Sequence, residues 1–338
     1  MAFNTSAFSP KEWTIGVAEE ATVGTAVTSF KGIEFESVSM PSMNDLRVIE
    51  KRAGSSGRVV NENDLFYLEA GAEHEFSISG ILTDDLISIL VENATGVETA
   101  SSVCLVDTGH APASFLHGAT SSGAHNTVQF AINGVSSPDS SYTLRGCVIE
   151  SLTLSADANE EGGRFKFDLT AKTRTPFVST AHASSTNTIA SYTENFIFLG
   201  DFTVGKQVYA KEVVLDSIGV TLENPVVFLG NGASGVPEGY MRSVPEFKAT
   251  ANCAVKFDDN TDTFIQDWRA QTVASPKGLY LASNATWANS SAIGSIKMDN
   301  VIFAEQPSYD EGDYMKLNCV LQSVDDESDS EIISIRVA

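Results

Sequence analysis

The feature that constrains this chain most is a short alternating pattern written four times. Phe35-Glu36-Ser37-Val38-Ser39-Met40, Ile149-Glu150-Ser151-Leu152-Thr153-Leu154, Leu215-Asp216-Ser217-Ile218-Gly219-Val220 and Met298-Asp299-Asn300-Val301-Ile302-Phe303 share it. Each reads apolar, acidic, Ser or Asn, aliphatic, any residue, and then another apolar residue. A period of two sends successive side chains to opposite faces, so each copy predicts a strand with one face buried. Two copies fall in each half, which predicts a duplicated β-domain.

The surroundings of the pattern repeat in the same order. A strand over Gly32–Met40 is followed by a polar excursion, Asn44–Leu68, and a returning strand, Glu73–Leu82. Asp84 to Ala94 then reads as a helix, with Leu86, Ile87, Leu90 and Val91 on one face, acids at its positive start and Gly96 as its stop. The Ser/Gly/Ala/His-rich stretch His110–Asn126 predicts a surface loop before a strand over Val128–Val135. A hairpin, Tyr142–Leu154 with Arg164–Thr173, closes the half around Gly162-Gly163.

The second half predicts a strand over Glu212–Thr221, an excursion over Glu223–Val244 and a return over Phe247–Phe257. A helix opened by Asp258-Asp259 follows, with Phe264, Ile265 and Trp268 on its buried face. After a short strand over Gly278–Ala282, the hairpin Ile296–Phe303 with Tyr314–Ser323 ends the half. The offsets drift, from 180 positions between Glu36 and Asp216 to 149 between Glu150 and Asp299, because the first half carries extra loop. A solenoid would hold one period. The expected boundaries are a first domain over 1–178 with an inserted loop at 97–141, a Ser/Thr/Ala-rich linker over 179–192, and a second domain over 193–338. Plentiful Val, Thr, Ser and Gly with few helical patterns make the class mainly β.

Charge removes one function class. With 44 acidic against 21 basic residues the formal charge is −23, which repels the phosphates that a nucleic-acid reader must hold with Lys and Arg. It does not exclude a protein past which nucleic acid slides. Cys104, Cys147, Cys253 and Cys319 are far apart with no CxxC pair, so neither a disulfide framework nor a zinc site is expected. The stretch Met1–Trp13 lacks the basic and apolar regions of a signal peptide, and no apolar run approaches the ~18–20 residues of a membrane span. The expectation is a soluble protein made in the cytoplasm, with no membrane partner.

Candidate chemistry fails on its own requirements. Gly230-Asn231-Gly232-Ala233-Ser234-Gly235 matches G-x-G-x-x-G, but Pro237, Gly239 and Pro245 forbid the helix that a pyrophosphate needs. Asp258, Asn260 and Asp262 have the first spacings of a calcium loop, but Thr263 and Arg269 stand where Gly and Glu belong. The five histidines show no ligand spacing, and no G-x-S-x-G elbow exists. No catalytic, cofactor-binding or metal residue is assigned, and no cofactor is expected.

What remains points to contacts between chains. The first excursion forms a polar arm with Arg47, Lys51, Arg52 and Arg58. The second leads from the apolar run Pro225–Leu229, with Val226, Phe228 and Leu229, into a glycine-rich tip, and carries Arg242 beyond it. An apolar run there is either buried against another subunit or a third core strand of its own domain.

The lead Ile15-Gly16-Val17-Ala18-Glu19-Glu20-Ala21-Thr22-Val23-Gly24-Thr25-Ala26-Val27, followed by an alternating strand and a basic arm, resembles the opening of phage tail tube proteins. Phe247–Asp259 with Phe264 and Trp268, then the closing hairpin, adds to the likeness. The resemblance implies two tandem β-sandwich or split-barrel tube domains, each with a short flanking helix. It implies subunits that form rings, and rings that stack into the hollow tail through which DNA is ejected. A family ring holds six tube domains, so two-domain chains need three copies: a trimer with pseudo-sixfold symmetry, with a hexamer as second choice.

The implied partners are further copies of the chain, a tape-measure protein and double-stranded DNA in the lumen without specific binding, and tail terminator and tail-tip proteins. The implied location is the tail of a virion, the chain being made in the bacterial host cytoplasm. On this reading the two excursions are ring-stacking arms. The alternatives are another virion β-protein, such as a decoration or tail-tip component, and a β-sandwich glycan hydrolase. The hydrolase would want acids and aromatics clustered in a cleft, and only Trp13, Trp268 and Trp287 are available.

Overall fold

The four alternating segments all enter strands. The computed structural model describes residues 13–338 except 22, 40–46, 50–64, 68–72, 97–101, 108–115, 119–126, 134–141, 175–186, 193, 204, 231–238, 243–246, 271–276, 285–286 and 325–330. In chain order the first half contains β1 (Thr14–Glu19), β2 (Ser29–Ile33), β3 (Phe35–Ser39), β4 (Arg47–Ile49), β5 (Leu65–Tyr67), β6 (His74–Ile81) and α1 (Asp84–Thr95). It continues with β7 (Val103–Asp107), β8 (Leu116–Gly118), β9 (Val128–Asn133), β10 (Tyr142–Asp157), β11 (Lys166–Thr173) and β12 (Thr188–Ile189).

The second half contains β13 (Gly205–Val208), β14 (Lys211–Glu212), β15 (Leu215–Glu223), β16 (Val226–Leu229), β17 (Gly239–Arg242), β18 (Lys248–Lys256) and α2 (Phe264–Ala270). It ends with β19 (Leu279–Ala282), β20 (Ile296–Met298), β21 (Val301–Phe303), β22 (Ser308–Glu311), β23 (Met315–Ser323) and β24 (Glu331–Arg336). The protein is mainly β, as the composition predicts.

One long sheet runs β3-β6-β11-β10-β15-β18-β23, with β21 and β22 both on the far side of β23. Its strands alternate cleanly: in β6, Phe76 and Ile78 are buried while Ser77 and Ser79 are half-exposed, and β18 and β23 do the same. One face therefore builds the core and the other stays open. A second layer covers the core face at each end. At one end β12, β2, β1 and β9 run on into residues 142–147 of β10, whose remaining length joins the long sheet. Phe76 of β6 meets Phe130 of β9 edge-on across the layers, ring centroids 5.3 Å apart. At the other end β14-β13-β19-β20-β24-β7 forms the cover, and β7, from the first half of the chain, is its edge strand.

The helix over Asp84–Ala94 forms as expected, with Leu86, Ile87, Leu90 and Val91 buried and Gly96 closing it in the left-handed region at φ 74°. The second helix starts later than its acids suggest. Asp258 accepts from the amide of Asn260, and its own amide donates to Thr261 Oγ1, so the acids close a turn and α2 begins at Phe264. The expected strand Ile296–Phe303 divides at Asp299-Asn300. β20 joins the covering sheet while β21 joins the long one. Within the predicted loop His110–Asn126, β8 pairs with β17.

Candidate assembly interface

The long sheet contains the same four-strand arrangement twice. β3, β6, β11 and β10 lie side by side in one half, and β15, β18, β23 and β21/β22 in the other, in corresponding order. The two sets meet where β10 pairs antiparallel with β15, Ser155 opposite Gly219 and Ala156 opposite Ile218. The likeness extends to irregularities. β3 bulges between Phe35 and Ser37 against β6, and β15 bulges between Leu215 and Ser217 against β18. The bulged residue is an acid in both, Glu36 and Asp216, and each acid binds a lysine of the third strand. Lys166 Nζ lies 2.7 Å from Glu36, and Lys316 Nζ lies 2.5 Å from Asp216.

The two acids differ in surroundings. The Asp216 side chain is 10% exposed and that of Glu36 is 42% exposed. Burial pushes the Asp216 carboxyl up, but bonds from Lys316 and the Tyr314 hydroxyl outweigh it and hold the group below its usual range. Lys316 and Tyr314 close over the Asp216 side chain, and its backbone carbonyl accepts the Ala158 amide just past β10 at 2.7 Å. Among the described residues, no strand pairs with the outer side of β3 or of β21/β22. Among the described residues both ends of the long sheet are thus open edges, which a β-protein must cover or use. β22 is exposed throughout, and Tyr309 (50% exposed), Tyr314 (42%) and Met315 (43%) gather at its hairpin.

The open face between these edges mixes short polar side chains with charged ones. Ser79, Thr153, Thr221 and Thr250 lie half-exposed along it, with Asn252 and Asn318 exposed beside them. Thr153 and Thr221 share a hydroxyl bond of 2.9 Å across the β10–β15 joint, and Ser37 and Ser79 one of 2.7 Å. Three of its lysines are paired, Lys172 with Glu150 at 2.5 Å, and Lys166 and Lys316 as described, while Lys248 and Lys256 of β18 stand exposed on the same face.

The sequence-predicted arm residues separate. Arg47 is in β4, which pairs with β5 as a two-stranded ribbon. Lys51, Arg52 and Arg58 lie outside the described residues. Val226 and Phe228 are buried in a small cluster with Val148 and Tyr240, where β16 and β17 fold over β10; Leu229 is half-exposed and Val227 is 53% exposed. Arg242 is 1% exposed. It donates to the carbonyls of Asn93 (2.5 Å), Ala94 and Ile149 (3.0 Å), so it caps the C-terminal end of α1, whose own last turn has no base. Asn224 Nδ2 joins it on the Ala94 and Thr95 carbonyls, 3.0 Å each.

Two buried anchors escape sequence reasoning. Glu20 accepts from the amides of Gly24 and Gly146 and the Thr127 hydroxyl, each at 2.8 Å, and burial raises its carboxyl. Asn93 Oδ1 accepts from the Ile149 amide at 2.6 Å. Glu20 stands in an acidic pair and Asn93 follows Glu92 on a helix, so only a three-dimensional partner reveals either. Among the described residues no group of His, Cys, Asp and Glu could hold a metal ion. None of the four cysteines is in a disulfide and all are buried; burial carries Cys104 up to about 12, away from nucleophilic reactivity.

A mainly β subunit with a repeated sheet, both of whose outer edges are unpaired among the described residues, has the form of a structural protein that associates through its edges. The chain is a member of the phage tail tube protein family, whose model matches residues 13–325. No curated protein matches it. Membership makes it a structural protein of the phage tail, self-assembling into a tube, and not an enzyme. Among the described residues no helix is long and apolar enough to cross a membrane.

Proposed function

We propose that three copies close into a ring of pseudo-sixfold symmetry, and that rings stack head-to-tail into a hollow tube that conducts double-stranded DNA. The observation that carries this is the duplicated four-strand set within one sheet. Each chain supplies two units already joined in series, so three chains give six. Two different open edges make a heterologous contact, which gives a ring when its rotation closes. Joining the edges abolishes them, as in any barrel.

The two units correspond to domains over 1–178 and 193–338 with a linker between. The open face of the long sheet lines the channel, and the chain's net charge of −23 denies phosphates a lasting hold. The excursions Asn44–Leu68 and Glu223–Val244 are arms between rings: Arg47, Lys51, Arg52 and Arg58 meet acidic surface, the β16–β17 ribbon carries Val226, Phe228 and Leu229, and Arg242 is the root that ties the ribbon to α1. A tape-measure protein occupies the lumen before DNA, and terminator and tip proteins bound the tube.

Electron microscopy of the purified, concentrated protein tests this. Tubes whose end-on views show three chains per turn of ring support it; six chains per ring would leave the hexamer, and discrete particles would refute it. Charge reversal of Arg47, Lys51 and Arg52 together should leave folded subunits that stack poorly in sedimentation.

A further inference from the structure

The internal β10–β15 joint is a template for the contact between copies. Because β3 and β15 share the bulge and its acid, they superimpose with Val38 on Ile218 and Ser39 on Gly219. β22 superimposes on β10 through the lysine of the strand beside it. Asp310 stands opposite Lys316, as Ser155 stands opposite Lys166, so Glu311 falls on Ala156.

We propose that β22 of each copy pairs antiparallel with β3 of the next copy in the internal register, Asp310 opposite Ser39 and Glu311 opposite Val38. The proposal rests on the ring reading and adds which residues meet. Three observations carry it besides the superposition. Tyr309 is 50% exposed where its counterpart Leu154 is 1% exposed. Val38 is only half-buried where Ile218 is 2% exposed. Glu36 is 42% exposed on its bulge, where its twin Asp216, on the strand that enters the internal joint, is 10% exposed. Each belongs to an edge with no covering strand among the described residues, and the pairing supplies that strand to all three. The occupant is therefore a second copy of this chain.

The test is a cysteine pair, Ser39→Cys with Asp310→Cys, in one chain. Both positions are exposed and lie at opposite edges of the long sheet, so a bond between them can form only between copies. Directly opposed residues have Cα atoms about 4.5–5.5 Å apart, within disulfide range, whereas a two-residue slip sets them roughly 8 Å apart, beyond it. Oxidation of assembled protein should convert most chains to covalent oligomers ending at the ring size. The slipped pair Ser37→Cys with Asp310→Cys and the unaltered protein should stay monomeric on a denaturing gel.

Rings in which the slipped pair bonds, or neither pair does, overturn the register and leave the ring reading intact. A protein that forms no rings takes both down. Hydrogen exchange on the unaltered chain gives an independent reading: the amides of Phe35–Ser39 and Ser308–Glu311 should gain protection on assembly, and no gain in either strand overturns the joint.

Discussion

Replacing Arg242 by methionine tests whether a buried cation is held for its bonds or merely tolerated. The side chain reaches three carbonyls at the junction of α1 and β10. Ala94 keeps the Asn224 amide after substitution, while Asn93 and Ile149 lose a charged donor. Each buried carbonyl so deprived loses about 1–3 kcal/mol, and losing the cation at the helix end adds about 1 kcal/mol. Desolvation works the other way. Burial holds the Arg242 guanidinium down at about 10, a cost of roughly 3 kcal/mol that methionine escapes.

The balance is a net loss of about 2 kcal/mol for Arg242→Met. Arg242→Ala should lose about 2 kcal/mol more, because it also leaves a cavity beside Tyr240. Urea unfolding of the unassembled subunit, followed by far-ultraviolet circular dichroism, reads both as falls in midpoint at constant slope. A methionine variant as stable as the parent, or more so, would show that desolvation outweighs the bonds and refute the assignment of Arg242 as the ribbon's anchor.

Other perturbations follow from the same geometry. Gly80→Ala should destabilise by more than ~2 kcal/mol, since its Cβ would stand 2.4 Å from the Glu34 carbonyl. Gly219→Ala, with 3.8 Å to the Ser155 side chain, should change stability by less than about 0.5 kcal/mol, both read by thermal unfolding. Asp216 has a folded-state carboxyl held below its unfolded value, so its contribution is full above about pH 4 and is lost as pH falls through the folded value. Asp216→Asn should accordingly flatten the acid limb of the stability curve. Copies carrying −23 each repel, so polymerisation followed by light scattering should quicken from ~10 mM to ~150 mM salt, as the screening length falls from about 30 to about 8 Å.

The strands were legible because alternation is local: the acid, hydroxyl and aliphatic order of Phe35–Met40 and Leu215–Val220 fixes which face is buried wherever the strand ends up. Helix α1 was legible for the same reason, with its apolar stripe and Gly96. The joining of sheets was not. Nothing in Ile296–Phe303 says that Asp299-Asn300 carries the chain from one layer to another, because both pieces alternate equally well. Nor does sequence say that β7 crosses to cover the second half. Arg242 reads as surface because arginine usually is; only the proximity of α1's end, 149 positions from its Asn93 partner, makes burial sustainable. The apolar run at Val226 was ambiguous for a similar reason: alternate burial of Val226 and Phe228, with Val227 outward, emerges only once β17 and Val148 are in place.

The repeat also explains why two equivalent acids sit in unequal surroundings. A duplicated unit has one joint inside the chain and leaves one half-joint at each end. Lys166 and Glu36 retain the geometry of Lys316 and Asp216, although the covering strand is present for only one pair. Lys166 also lies 3.4 Å from Glu161, but exposed ion pairs contribute only ~0–1 kcal/mol each, too little to hold a bulge in place. Recurrence of the whole device, bulge, acid and third-strand lysine, on an edge with no covering strand among the described residues is what a surface shaped for a covered state looks like before it is covered. On that reasoning Lys166→Met should leave the unassembled subunit within about 0.5 kcal/mol of the parent, yet raise the concentration at which rings form. Equal losses in both would mean that the pair serves the subunit alone.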